Sequence, residues 1–438
     1  MRQFLQIWIL SLLFKIGLAA LLPLSPDEAY YWMWSHHMQL SYFDHPPFVA
    51  WLFYLGHWLE PYGQLLRLPT VLIGHLTFLV WYYILKPQFS WDKYKYWYAL
   101  AFFSPLVGFG SMVGTPDVPL LLFWSLAIYF FQQCLYHQKA RDYFLLGASL
   151  GLGFCSKYHI VLFVPFILAY LLFEKRWREV SLKKLLLTVA GGLLCSLPVI
   201  MWNIQNDFAS FRFQIDHGLG KANWTPDWTL GYVAAEVILL FPAVIYAALR
   251  AKPPRDFKFL QYLGWGPLLF FFLSSFRGTV ELNWPNTAFP VIFALVLFAP
   301  NAKKVALWTS GFWLAFYIFG FSSALLLPKN NPVAKPFREQ FRFRPLASLQ
   351  QEYQPLYAGT YQIASTIWYE NKTPIYKLRD MSRHDFYDSL PQSLPQEDSF
   401  YLVQENWSEI PDWVEKAGYK ISVVKEIEPF FLVVKVSK

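Results

Sequence analysis

Residues 25–34 read SPDEAYYWMW, and residues 42–51 read YFDHPPFVAW. Ser25 is a helix-capping residue type and Pro26 suits the first helical position. Asp27 and Glu28 then fall in the first turn, where the helix dipole favours carboxylates. The run Tyr30, Tyr31, Trp32, Trp34 suits a helix lying in a membrane interface. Asp44-His45-Pro46-Pro47 opens a second such element, because the prolines stiffen the chain and end the extended segment before them. An Asp beside a His at such a surface can bind a divalent cation, a phosphate or substrate hydroxyls. A charged helix start alone is the competing account of Asp27 and Glu28.

The loop is framed by apolar sequence. Apolar residues make up 55% of the 438, aromatics 20% and charged residues 15%; mean hydropathy is +0.29. Soluble domains carry about 25% charged residues, so a soluble multidomain enzyme is excluded. With a span needing about 20 apolar residues, the sequence predicts about eleven. They fall near 4–22, 65–85, 96–110, 118–136, 143–156, 158–173, 185–203, 229–249, 259–275, 286–300 and 305–327. The basic, then apolar start lacks a good cleavage site after Ala19-Ala20, and reads as a retained first helix. Cys134, Cys155 and Cys195 lie in apolar segments at unrelated spacings, which gives no metal or disulfide pattern.

Charge sorts these connections into two sets. One holds seventeen Lys and Arg: Arg2, then clusters at 86–95, 139–141, 175–184, 250–258 and 303–304. The other holds four, Lys157, Arg212, Lys221 and Arg277. The positive-inside rule then predicts an inside N-terminus and an outside C-terminus. It also makes 143–173 a hairpin with Lys157 at its turn. The carboxylates Asp27, Glu28, Asp44, Asp117 and Glu281 gather on the outer side. The net charge of +8 belongs wholly to residues 1–328, which argues for loop sorting and against nucleic acid.

After Leu327 the pattern changes. Residues 328–345, PKNNPVAKPFREQFRFRP, read as a linker. The remainder predicts a helix at 361–370, a strand at 400–404, a helix at 410–417, and strands at 420–425 and 430–436. The expected organisation is an all-α polytopic membrane domain over 1–328, with interfacial helices in its first outer loop, then a linker and a small α+β outer domain over 329–438.

DEAYYW followed by YFDHPP resembles the first outer loop of the GT-C glycosyltransferases. The likeness is nearest to bacterial relatives of protein O-mannosyltransferases and lipid A aminoarabinose transferases. Four further stretches, all expected outside, follow in family order: Gly114-Thr-Pro-Asp117, Ser156-Lys157-Tyr158, Phe213-Gln214-Ile-Asp-His217-Gly-Leu-Gly220, and Glu281-Leu-Asn283-Trp284-Pro285. The resemblance covers residues 1–300. It implies an enzyme of the bacterial inner membrane that takes a sugar from a polyprenyl-phosphate donor. The acceptor would be a glycan, a lipid such as lipid A, or a protein on the outer face. It places Asp27 and Glu28 at the family's Asp-Glu motif, and Asp44 at a metal or donor-phosphate position. Where the aminoarabinose enzymes have a Lys, this chain has His45.

Transfer from a lipid phosphate needs a base for the acceptor hydroxyl, cations for the leaving phosphate, and polar groups around the sugar. Asp27 is the base candidate. Lys157, His45, Arg212 and Lys221 are phosphate candidates, Lys157 first because a cation between apolar runs is costly and usually functional. Asp44 and His217 are candidate ligands of a divalent ion, the one cofactor expected; hydrogen bonding without an ion is the alternative. Gln214, Glu281 and Asn283 are candidate sugar or donor contacts, with Trp284 stacking on the ring. Asp117 follows Pro116 at a span start, where helix capping accounts for it equally well. Glu236, inside a span, receives no role. The rivals are a secondary transporter or flippase, which would show repeats and a midplane site, and a non-catalytic scaffold, which leaves the outer carboxylates unexplained.

Overall fold

The computed structural model describes residues 1–219, 223–328, 331–338, 341–427 and 430–438, without the side chains of 216–219 and 336. The chain forms two compact units. One joins Met1–Leu22 to Gln39–Phe319; the other joins Pro23–Met38 to Gly320–Lys438.

The first unit is helical. Each of the eleven expected spans coincides with one or two helices. Among the described residues, five stretches are individually long and apolar enough to cross a membrane: Arg2–Leu21, Phe48–Leu85, Asp117–His137, Leu182–Gln205 and Ala302–Leu326. The expected span 229–249 is a pair of helices, Pro226–Leu240 and Pro242–Leu249, bent by 86°. Counted as one, they bring the number to six. The bend falls at Phe241, whose φ of 71° is left-handed, just before a proline that has no N–H to continue the ladder.

Ala288–Val296, AFPVIFALV, is apolar on every side, and all nine of its residues are buried. A helix without a polar face belongs in the centre, and Trp97 Nε1 donates to its Pro290 carbonyl at 2.9 Å. Ala140–Phe154 lies tightly against Leu182–Gln205. A Cβ on Gly147 would stand 1.9 Å from the Thr188 carbonyl oxygen, and one on Gly151 2.4 Å from that of Gly192. Small residues four apart permit this approach, the usual solution where lipid removes the hydrophobic drive between helices.

In the second unit, helix Pro26–Ser35 packs on helix Tyr361–Asn371. Behind them lies a five-stranded sheet of β1 (Leu356–Ala358), β2 (Tyr376–Lys377), β3 (Ser399–Glu405), β4 (Lys420–Ile427) and β5 (Phe431–Ser437), in the order β2-β1-β3-β5-β4. β1 runs parallel to β2 and β3, whereas β5 is antiparallel to β3 and β4. Side chains of β3 and β5, among them Phe400, Leu402, Val434 and Val436, fill the core with Val414 of helix Asp412–Lys416. Lys377 is fully buried between Asp385 at 2.7 Å and Asp388 at 2.6 Å. That cluster closes the connection between β2 and β3.

Candidate active site

Asp117 begins the helix Asp117–His137 and is 7% exposed. Lys157 Nζ donates to its Oδ1 at 2.8 Å, Asn283 Nδ2 to Oδ2 at 2.6 Å, and Asn286 Nδ2 to Oδ1 at 2.9 Å. Three motifs, far apart in sequence, thus meet on one carboxylate. The buried charge is matched by a buried cation and two amides, as burial of an ion demands. Lys157, the first phosphate candidate, is therefore already paired.

The loop carrying Asp44 joins this cluster through the backbone. Phe48 N donates to the Cys155 carbonyl at 2.9 Å, two residues before Lys157. Gln214 Nε2 donates to the Asp44 carbonyl at 2.8 Å, and the rings of Phe43 and Phe213 lie 4.7 Å apart. These contacts seat helix Ala209–Leu219 against the Asp-His-Pro-Pro turn. Tyr158 Oη and Ser210 Oγ, 2.9 Å apart, hold its start. Asp44 is buried and His45 half-buried. Burial raises the Tyr42 phenol well above its usual range, so this neighbour stays neutral.

A cavity of about 540 Å³ opens beside this cluster. Its lining mixes apolar side chains, among them Val161, Leu162, Ile215, Phe270 and Leu273, with His159, Gln214, Ser274, Trp284 and Arg277. The Trp284 ring lies 5.5 Å from His159 and 5.7 Å from Phe271. His159 Nδ1 is buried without a partner among the described residues, and the ring is within electrostatic reach of His45 and Lys157. Arg277 is exposed, and its guanidinium has no ion-pair partner among the described residues. The lining can receive an amphiphile, with an apolar chain against the aliphatic and aromatic side chains and an anion at the arginine.

In the second unit, Ser25 and Glu28 form a reciprocal cap. Glu28 N donates to Ser25 Oγ at 3.3 Å, and Ser25 N donates to Glu28 Oε2 at 2.9 Å. Glu28, 1% exposed, thus holds the helix start. Asp27 beside it is exposed, and its Oδ1 accepts from Tyr361 Oη at 3.2 Å. Burial lowers the pKa of His37, so this imidazole is neutral at pH 7.

Of the residues singled out from sequence, Asp117, Lys157 and Asn283 meet directly, and Gln214 meets the backbone of Asp44. Trp284 lines the cavity rather than the Asp117 cluster. Glu281 and Arg212 are exposed. His217 lies on helix Ala209–Leu219, but its side chain, like Lys221, is outside the described residues. Asn286, His159, Arg277 and Tyr361 were not singled out. Asn286 had a signal, because a 3₁₀ turn over Trp284–Thr287 stacks positions three apart and so places it with Asn283. Arg277 had one too, as one of the four cations on the acidic side.

Residues 44–202 match the family model described as dolichyl-phosphate-mannose-protein mannosyltransferase. The lipid A galacturonosyltransferase RgtD of Rhizobium johnstonii is 24% identical, over 86% of this chain and 81% of its own. An undecaprenyl phosphate-alpha-4-amino-4-deoxy-L-arabinose arabinosyl transferase of Pseudomonas paraeruginosa is 28% identical, over 68% of this chain. The match spans 59% of that relative's length. The crystal structure of ArnT from Cupriavidus metallidurans bound to undecaprenyl phosphate has the same fold, with a TM-score of 0.68 at 15% identity over 99% of this chain and 98% of that one. The expected resemblance to GT-C glycosyltransferases is met by relatives named as sugar transferases and by the fold shared with ArnT.

Proposed function

We infer that this chain, with the fold and the relatives of a GT-C membrane glycosyltransferase, is an inverting transferase that moves a sugar from a polyprenyl-phosphate donor to an acceptor outside the inner membrane. The relatives are named for lipid A and for undecaprenyl-phosphate aminoarabinose, and lipid A is the acceptor we favour. The observation that carries the reading is a cavity lined by both apolar side chains and an exposed arginine. That arginine has no ion-pair partner among the described residues, and a prenyl phosphate calls for both an apolar lining and a cation.

The membrane reading keeps eleven crossings, N-terminus inside and the 329–438 segment outside. The seventeen-to-four charge division supports it. The shorter apolar helices, such as Tyr158–Phe173 and Trp284–Val296, would cross only where neighbours cover their ends.

In the reaction, the acceptor oxygen forms a bond to the anomeric carbon from the face opposite the phosphate. The bond from that carbon to the phosphate oxygen breaks, and its electron pair leaves on the polyprenyl phosphate. The acceptor proton passes to a carboxylate, for which Asp27 is the candidate. Arg277 stands where Lys157 was expected, as the cation for the phosphate. Trp284 and His159 flank the sugar end, while Asp117 with Lys157, Asn283 and Asn286 holds the loops that present them. Gln214 lines the cavity and ties it to the Asp44 backbone.

Asp44 with His217 is the place we propose for a hard divalent ion of the magnesium type, which takes one or two carboxylates and completes its shell with phosphate and water; Asp44 is buried, and the His217 side chain lies outside the described residues. Bound there, such an ion would neutralise charge on the leaving phosphate. The test of the whole reading is transfer of labelled sugar from a polyprenyl-phosphate donor by purified protein, alongside mass spectrometry of envelope lipids with and without the chain. Absence of any sugar-modified product in both experiments rejects it.

A further inference from the structure

We propose that Tyr361, in the C-terminal segment, is a positioning residue for the Asp27 carboxylate. The inference rests on the reading of Asp27 as the base. Asp27 is exposed in the first turn of its helix. A solvated carboxylate samples several rotamers, and a base that must meet one proton in one direction loses rate by wandering.

The structure restrains it from the other end of the chain. Tyr361 starts the helix Tyr361–Asn371, and Thr360 fixes that start by accepting from Ile363 N at 3.3 Å. The Tyr361 ring lies 4.3 Å from that of Tyr30, three residues beyond Asp27 on the same helix. The Arg383 guanidinium sits 5.2 Å from the ring centroid. A capped backbone, an aromatic neighbour and a cation thus hold the phenol in place, and its hydroxyl donates to Asp27 Oδ1 at 3.2 Å. Pinning one carboxylate oxygen sets the plane of the group and the direction of the other. The bond is strongest when Asp27 is ionised, the form a base requires. A tail residue 334 positions away therefore serves the first-loop motif.

The test uses the full-length protein in detergent with lipid A as acceptor. Undecaprenyl-phosphate-linked aminoarabinose and galacturonate are the donor probes, and the donor that turns over is kept. Tyr361→Phe retains the ring and loses only the hydroxyl. We expect kcat to fall on the order of 10-fold to 100-fold, as for a misplaced catalytic group, with KM for donor and acceptor and the melting temperature little changed. In Asp27→Asn protein the same change should cost nothing further, because its effect runs through that carboxylate. Arg383→Gln, which loosens the ring without touching the hydroxyl, should give a smaller loss of the same kind and guards against misfolding of the first variant. Wild-type kcat in Tyr361→Phe, or an equal loss in the Asp27→Asn background, overturns the inference while leaving the function intact. Full turnover by Asp27→Asn removes the base reading, and this inference with it. Turnover of neither donor removes both.

Discussion

Lys157 Nζ lies 2.8 Å from Asp117 Oδ1, with both side chains at most 10% exposed. The pair joins two motifs 40 residues apart, and two asparagines complete the carboxylate's shell. A charge buried this way is costly to strand. Lys157→Met should leave Asp117 with two neutral donors and destabilise the fold by about 3–5 kcal/mol. Thermal unfolding in detergent would measure this, and Asp117→Asn added to Lys157→Met should recover part of the loss. A Lys157→Met protein of normal stability but poor donor affinity would return Lys157 to the phosphate.

Arg277 is the opposite case, an exposed cation at a cavity. Arg277→Gln should leave stability within about 0.5 kcal/mol and weaken donor binding by roughly tenfold or more, the cost of one lost charged contact. Titration with undecaprenyl phosphate reads this directly. Unchanged affinity would mean that the phosphate sits elsewhere.

Asp27→Asn keeps the size of the side chain and its capacity to accept from Tyr361, but removes basicity. If Asp27 takes the acceptor proton, the rate should fall on the order of 10²–10⁴-fold while the fold persists. Helix geometry will not confuse the result, because the cap is made by Ser25 and Glu28. Transfer and melting temperature measured on one preparation separate catalysis from folding.

If a divalent ion at Asp44 assists the leaving phosphate, exhaustive chelation should lower activity and added magnesium or manganese should restore it, with Asp44→Asn insensitive to both. Full activity after chelation, with no metal by elemental analysis, would leave Asp44 a purely hydrogen-bonding role.

The charge division predicts that a reporter fused after Lys438 reads as outside the cytoplasm and one after Lys184 as inside. Cysteine accessibility at the same points offers an independent measure. A cytoplasmic C-terminus would invert every outer-loop assignment.

Much of this was legible locally. Helix Tyr361–Asn371 and strands β3, β4 and β5 stand within two residues of their expected limits, because each is a run of suitable residue types bounded by turn residues within its own segment. Ser25 as a cap and the start of a helix at Pro26 were readable for the same reason. The two short strands β1 and β2 were not, since segments of three and two residues are too short to show a period. The break at Phe241 was masked by a continuous apolar run, although Pro242 marked it. The partners of Asp117 could be gathered from the outer motifs only as a group. That Lys157 would pair with it, rather than remain available, depends on where helix ends fall in space. Tyr361 gave no local sign, because its neighbour in space lies at the other end of the chain.

The packing of residues 23–38 with the C-terminal segment bears on how such a chain can be recombined. The Asp27-Glu28 motif belongs to the same compact body as residues 320–438, though residues 39–319 separate them in the linear order. A chimera that exchanges only the tail for that of a relative would set foreign side chains against Tyr30, Trp32 and Trp34. One that exchanges 23–38 together with the tail keeps the body intact. For anyone shuffling donor or acceptor preference among these enzymes, the natural unit of exchange is discontinuous, and truncation of the tail should be read as an operation on the first loop.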